Sequence, residues 1–208
     1  MSDEPSLVEK RFERRAGLTI AVLAAVLAVN DLFGGKFGED EILGANEKAD
    51  AYSWYQSKSQ KQTLHEHQRQ LLQTLERAGV VPAEHQAEIA TQIASLTADI
   101  ERYDKEKKEI LLGSDAVGEA NWMLEDETGQ KGQIIGANVW KETGEVLDAA
   151  GNRFDLGTLF LQLCLVLGAV SLVLDDMRLK TRFFQGMVAC GIGGTIFTVW
   201  ALMTAFSI

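Results

Sequence analysis

The chain has 208 residues, of which 46% are hydrophobic and 24% are charged, and its formal net charge is -10. This acidity argues against nucleic acid as a partner, because a nucleic-acid surface rewards basic patches. Two cysteines exclude a disulfide framework. The apolar residues are gathered in three blocks, whereas a soluble core would spread them along the chain.

The chain opens with a basic segment, residues 1–15, which precedes the first apolar block. That block, residues 16–33, has no charge before Asp31. A spanning helix needs about 17–25 residues, so the block predicts transmembrane helix 1. A secretory signal has the same order of features, but the following NDLFGGKFGEDE offers only a poor cleavage site. We therefore interpret the block as an uncleaved anchor.

Residues 34–112 predict an extramembrane helical hairpin. Residues 39–78 contain no proline and a single glycine, which is typical of a long helix. Gly79 and Pro82 then supply a helix stop and a helix start. The return segment repeats apolar residues at spacings of three and four, which favours an antiparallel, coiled-coil-like pair. The predicted seam consists of Leu64, Leu71, Leu75, Ile89, Ile93, Leu96, Ile100 and Tyr103.

Two placements of this hairpin are open at this point. Forty helical residues extend about 60 Å, so an upright hairpin projects well beyond the lipid head groups. The alternative is a helix that bends at Gly34, Gly35 and Gly38 and lies on the membrane with Trp54 and Tyr55 as anchors. The acidic residues that follow the bend would be repelled by anionic lipid. We therefore favour the upright hairpin.

The glycine-rich connector, residues 113–155, leads towards the second span. It predicts a short helix at residues 116–125, a loop through ETGQKGQ and a final helix that enters the membrane. A β-hairpin that turns at Thr143 and Gly144 is an equal alternative to the beginning of that helix.

Two further apolar blocks close the chain and predict transmembrane helix 2 (residues 156–174) and transmembrane helix 3 (residues 183–206). Basic residues lie in the segment 1–15 and in the short loop 175–182, which three spans place on the same side. The positive-inside rule assigns that side to the cytoplasm, as in a multi-pass protein of a bacterial inner (plasma) membrane. Residues 34–155 are then extracytoplasmic. They hold 13 Lys+Arg and 23 Asp+Glu, which is the whole net charge of -10.

The order of these features resembles the bacterial membrane proteins of the domain of unknown function 4337 family. The most distinctive part is DAYSWYQSK (residues 50–58), and FDLG (residues 154–157) opens the closing pair of spans. The resemblance covers residues 10–112 and 154–205, while residues 113–152 are expected to depart from the family. It implies an all-α protein with three transmembrane helices and a long antiparallel helical hairpin between the first and the second. It implies no activity.

No residue set indicates catalysis, a cofactor or a metal. The sequence has no P-loop, dinucleotide-binding, G-x-S-x-G or H-E-x-x-H motif. His65 and His67 are two residues apart and diverge on a helix, so they are interpreted as solvated surface. Cys164 and Cys190 lie inside spans at different depths, which favours packed small residues over a redox pair. The sequence therefore predicts a non-enzymatic protein.

Small residues at four-residue spacing predict close helix packing in the membrane. Two such faces occur, on the first span and on the third. Their residues are Gly17, Ala21 and Ala25, and Gly186, Cys190 and Gly194. With the lipid bilayer as its surroundings, the chain is expected to form a homo-oligomer or to join a larger membrane complex. The leading hypothesis is a scaffold that presents its acidic hairpin.

A pore is the alternative hypothesis. In an oligomeric cation-selective channel, Asn30 and Asp31 would lie at the pore mouth and the acidic hairpin would attract cations.

Overall fold

The computed structural model describes residues 7–207, and within this range all regular structure is helical. The helices are α1 (Leu7–Arg77), α2 (Gln86–Leu112), α3 (Ser114–Val117), α4 (Ala137–Val173) and α5 (Met177–Ala205). Two 3-10 turns, Ala83–His85 and Glu119–Asn121, lie between them. The first six residues of the predicted segment 1–15 lie outside the described range.

Three helices are long and apolar enough to cross a membrane, namely α1, α4 and α5. α1 contains the whole first apolar block, and α4 and α5 contain the second and third blocks except for the last residue of each. α1 is helical through Gly34, Gly35 and Gly38, the positions at which a membrane-lying helix was expected to bend. The upright hairpin stays a prediction.

The chain forms two compact units. The first, here called the bundle unit, contains the described residues up to Ile42 and those from Gly144 onward. The second, the outer unit, is Leu43–Thr143.

The bundle unit buries residues that recur at spacings of three and four along each helix. This is the spacing of helices that pack along a shared seam at a small crossing angle. On α4 the buried residues are Leu147, Ala150, Phe154, Gly157, Leu161, Cys164, Gly168 and Ser171. On α5 the fully buried members are Lys180, Met187, Gly191, Gly194, Thr198, Ala201 and Ala205.

Large side chains of the neighbouring helices pack directly against the glycines at these inner positions. A Cβ at Gly194 would lie 2.6 Å from Cγ of Leu161, and a Cβ at Gly191 would lie 2.7 Å from Cδ1 of Leu23. A Cβ at Gly168 would lie 2.7 Å from Sδ of Met187. A Cβ at any of the three positions would force a neighbouring side chain to shift, and at Gly194 it would also lie 3.1 Å from the carbonyl oxygen of Gly157. Glycine therefore permits the present close packing.

The connector differs from its prediction in two places. The helix expected at residues 116–125 is instead α3 followed by a 3-10 turn, because Gly118 between them has φ of +78°. The β-hairpin at Thr143 and Gly144 is wrong, since both residues lie within α4. The predicted loop 175–182 is also shorter, because Asp176 caps α5, which begins at Met177.

A buried carboxylate organises the connector inside the outer unit. Glu109 is fully buried; its Oε1 accepts a hydrogen bond from Ser114, and its Oε2 accepts from the backbone N–H groups of Met123 and Leu124. Charge-assisted bonds of this kind are stronger than neutral ones, so three donors compensate the burial of the carboxylate. Glycine is also needed here, since a Cβ at Gly136 would lie 2.3 Å from the carbonyl carbon of Leu112.

The outer unit corrects the predicted seam on α1. Leu64 and Leu71 are 55% and 60% exposed, and Leu75 is also exposed. The half-buried residues are instead Lys58, Gln62, His65, Arg69 and Leu72. These residues face α2 because they make polar and ring contacts with it. Nζ of Lys58 lies 2.6 Å from Oε2 of Glu106, and the centres of the His65 and Tyr103 rings are 5.4 Å apart. On α2, Ile89, Ile93 and Leu96 are half-buried, and Ile100 and Tyr103 are buried.

We expect Gly194→Ala to destabilise the bundle unit and the neighbouring Gly193→Ala to leave it intact. The new methyl group at position 194 would meet Leu161 and the Gly157 carbonyl oxygen, whereas at position 193 the nearest atom is at 3.8 Å, an ordinary contact. Overpacking costs about 1–3 kcal/mol, and replacing a helical glycine by alanine gains up to about 1 kcal/mol. Thermal unfolding of the purified protein in detergent measures both. Equal melting temperatures for the two variants would contradict this packing.

Candidate functional site

A buried asparagine joins three helices in the bundle unit. Asn30 of α1 has 0% exposed area. Its Nδ2 donates to the carbonyl oxygen of Phe154 at 3.1 Å and to Oγ1 of Thr158 at 2.7 Å, both on α4. Its Oδ1 accepts a hydrogen bond from the hydroxyl of Thr198 on α5 at 2.7 Å. We call this set of residues the Asn30 junction.

The junction forms because small and β-branched residues leave room for the amide. A Cβ at Gly157 would lie 2.7 Å from Oδ1 of Asn30 and 3.1 Å from Oγ1 of Thr198. Glycine at this position therefore lets α4 approach both partners. Thr158 extends the junction, since its hydroxyl donates to Oδ1 of Asp31 at 2.9 Å.

The junction fixes how α1 packs against its two neighbours. An amide placed in apolar surroundings without hydrogen bonds costs about 2–7 kcal/mol. Any sliding or rotation of α1 would break these bonds and impose that cost. A single asparagine at an inner position sets helix register in the same way in helical assemblies.

Asn30 and Asp31, the two residues predicted to lie at a pore mouth, have different surroundings in the structure. Asn30 lies inside one chain, where its amide is occupied by α4 and α5, so it does not line a mouth between chains. Asp31, one residue on, is exposed. Asp31 therefore remains a candidate residue for a pore mouth, and Asn30 does not.

A buried ion pair lies near the beginning of α5. Lys180 is 3% exposed, and its Nζ donates to Oε1 of Glu9 at 2.7 Å, with Glu13 at 3.9 Å. The hydrogen bond to Glu9 raises the pKa of Lys180. A raised lysine pKa stabilises the fold below the ordinary value of 10.5 and loses that effect as pH rises through the raised value. Lys180 therefore remains charged and paired throughout the neutral range.

The two predicted small-residue faces have different surroundings. Gly17, Ala21 and Ala25 of α1 are all exposed, and a Cβ at Gly17 would meet no atom within 4 Å. On α5, Gly194 is buried against Leu161, and Gly186 and Cys190 are half-buried. The α5 face therefore packs largely inside the chain, and the α1 face is left open.

The two cysteines pack among apolar side chains of the bundle unit, and the three histidines lie in the outer unit. Cys164 and Cys190 are free thiols, and Cys190 packs against the apolar cluster that contains Cys164. No three His, Cys, Asp or Glu side chains between residues 7 and 207 come together as metal ligands.

Sequence reasoning singled out Asn30 but missed its partners. Gly157, Thr158 and Thr198 lie in apolar blocks and look like ordinary packing residues. A signal was present, because residues 157, 161, 164 and 168 of α4 repeat at the seam spacing and begin and end with glycine. That repeat marks the face of α4 that turns inward.

We expect Thr198→Val to destabilise the bundle unit more than Thr195→Val. Valine keeps the shape of threonine, but at position 198 it removes the donor to Asn30, whereas the Thr195 hydroxyl bonds only its own helix at Gly191. The expected difference is about 1 kcal/mol, the usual size of a side-chain hydrogen bond between helices in lipid or detergent. Chemical unfolding in detergent gives both values. In an Asn30→Ala background the difference should vanish; if it persists, the junction does not explain it.

Comparison with known proteins places the chain in a family. The family model described as a domain of unknown function, number 4337, matches residues 12–204, which is nearly the whole chain. The match runs through residues 113–152, so the expected departure of that stretch from the family is wrong. No curated protein and no solved structure matches the chain. The chain therefore belongs to the domain of unknown function 4337 family.

Proposed function

We propose that the protein is a non-enzymatic, homo-oligomeric scaffold of the bacterial inner membrane that presents an acidic helical hairpin outside the cytoplasm. One observation carries the proposal. The small-residue face of α1, with Gly17, Ala21 and Ala25, is open although the inner faces of α1, α4 and α5 are closely packed. In lipid, such a face favours association with a second helix through close van der Waals contact.

Membrane insertion of α1, α4 and α5 is supported by their length and apolar composition. It is also supported by the Asn30 junction, since hydrocarbon offers no water to a polar side chain. The predicted topology places residues 1–15 and the Arg178–Arg182 region in the cytoplasm, on the basis of their basic residues.

The antiparallel arrangement of α1 and α2 in the outer unit is supported by two contacts. Lys58 pairs with Glu106, and Nδ1 of His65 lies 3.5 Å from Asp99. In both pairs the residue numbers add to 164, as they must when two helices run in opposite directions without a shift.

A scaffold role is supported by what the hairpin and the connector together offer to partners. Residues 34–155 hold the whole net charge of -10, and the outer faces of α1 and α2 are mostly polar. Such a surface steers basic partners towards it through long-range attraction. Oligomerisation would multiply the surface and raise avidity for a partner with repeated sites.

We expect Ala21→Leu to weaken self-association in lipid nanodiscs or mild detergent by about tenfold, because leucine holds the helices apart. The matched control is Val166→Phe, which adds bulk to an exposed residue on a different helix, α4. Mass photometry over a dilution series reports the oligomer fraction.

A monomer at every concentration for the unchanged protein would overturn the homo-oligomer. Equal weakening by both variants would move the contact away from the small-residue face. Planar-bilayer recordings distinguish the pore: a cation conductance that Asp31→Asn abolishes would replace the scaffold with a channel.

A further inference from the structure

The open small-residue face of α1 continues into two basic residues near the beginning of the helix. Its members follow one another at alternating spacings of four and three residues, which is the repeat of a face that packs along another helix. They are Lys10, Arg14, Gly17, Ala21, Ala24 and Ala28, and all six are exposed. The face through which self-association is proposed therefore ends in a pair of cations.

The carboxylates at this end of α1 are engaged inside the chain. Before the first apolar block, the described part of α1 contains two acidic residues, Glu9 and Glu13. Both face the buried Lys180 of α5, whose Nζ lies 2.7 Å from Glu9 and 3.9 Å from Glu13. The rings of Phe12 and Phe184, 5.5 Å apart, hold the same end of α1 against α5. Within residues 7–207, the two cations of the open face form no ion pair with a carboxylate.

These cations lie at the depth of the lipid head groups when the first span is inserted. Arg14 precedes the first residue of the apolar block, Ala16, by two positions, and Lys10 precedes it by six. These separations are about 3 Å and 9 Å along a helix, and the head-group layer is about 5–7 Å thick on each side of the bilayer. Since long basic side chains extend along the helix towards this layer, both cations reach the lipid phosphates.

Self-association through this face brings like charges together. Copies inserted in the same orientation pack α1 beside α1 in parallel, so Lys10 and Arg14 of one copy lie close to the same residues of the next. The four cations repel one another and oppose the contact that the small residues favour. An anion between them removes this repulsion, and at this depth the bilayer supplies the phosphate of a lipid.

We propose that the phosphate groups of anionic lipids bridge Lys10 and Arg14 of neighbouring copies and thereby strengthen self-association through α1. A guanidinium binds phosphate through paired hydrogen bonds, and an ammonium binds it as a point charge. A zwitterionic lipid has its own ammonium beside the phosphate and brings no net charge. The inference rests on the proposed self-association and adds the component of the membrane that controls it.

Förster transfer between donor-labelled and acceptor-labelled full-length chains in vesicles tests the proposal. We expect association to be about tenfold stronger when phosphatidylglycerol replaces about one third of the phosphatidylcholine, because anionic head groups then neutralise the facing cations. Lys10→Gln/Arg14→Gln should associate in phosphatidylcholine alone about as strongly as the unchanged protein does with phosphatidylglycerol. The anionic lipid should change the association of this variant by less than about twofold, since the facing charges are gone.

The matched control is Arg178→Gln/Arg182→Gln, which also removes two exposed cations that are four residues apart. They lie on α5 at the same end of the bundle, two positions to either side of the buried Lys180. Residues two apart lie on nearly opposite sides of a helix, so these arginines lie on the side of α5 that faces away from α1. The control should retain the full dependence on anionic lipid.

A charge-reversal variant tests the same contact without anionic lipid. Chains with Lys10→Glu/Arg14→Glu, mixed with unchanged chains in phosphatidylcholine, should form more mixed pairs than random pairing gives, because acidic residues then face basic ones. Random pairing of folded chains would contradict the contact between these positions. Circular dichroism of the vesicles reports whether each variant is folded.

The remaining outcomes separate the lipid bridge from self-association itself. Equal association of the unchanged protein in the two bilayers would overturn the bridge and leave the proposed scaffold intact. A monomer in every bilayer, with the glutamine variant included, would overturn both. Loss of the lipid dependence in the α5 control would replace the bridge with a general effect of basic charge. If inorganic phosphate added to phosphatidylcholine vesicles restores association as fully as phosphatidylglycerol does, the anion is a soluble one and the lipid bridge is wrong.

Discussion

The bundle unit depends on one buried amide whose hydrogen bonds reach two other helices. Apolar packing alone leaves three helices free to slide and rotate, because leucine, valine and alanine faces are nearly interchangeable. Asn30 removes this freedom, since its amide is satisfied only when Phe154 and Thr198 lie where they do. The hydroxyl of Thr158 also donates a hydrogen bond to the exposed Asp31, so the next residue of α1 is held as well. The junction therefore defines which face of α1 turns inward, and with it which face remains open.

Glycines make this junction compatible with close packing. Gly157 of α4 leaves room for the Asn30 amide, and Gly194 of α5 leaves room for the Leu161 side chain. Since lipid tails are as apolar as the helices, contacts of this kind supply much of the association energy in a membrane. The chain uses its closely packed glycines inside and leaves Gly17, Ala21 and Ala25 outside. That division connects the structure of one chain with its proposed assembly.

The helices were predictable from the sequence, and several of their contacts were not. Three apolar blocks indicated three long apolar helices, because length and composition alone determine that signal. The seam of α1 in the outer unit was misassigned, since leucines suggest burial but Leu64 and Leu71 are exposed and Lys58 and His65 turn towards α2. Ion pairs and ring contacts of that kind depend on the partner helix. The connector was unreadable for a related reason, because Glu109 organises residues that follow it by up to 15 positions.

The burial of Asn30 is the central claim, and cysteine accessibility tests it most directly. In a background with Cys164 and Cys190 replaced by alanine, single cysteines are placed at positions 30 and 31 and treated with a membrane-impermeant maleimide. Cysteine at position 31 should react, because Asp31 is exposed, and cysteine at position 30 should not, because α4 and α5 enclose it. Equal labelling of the two positions would contradict the junction and return Asn30 to a water-filled surface.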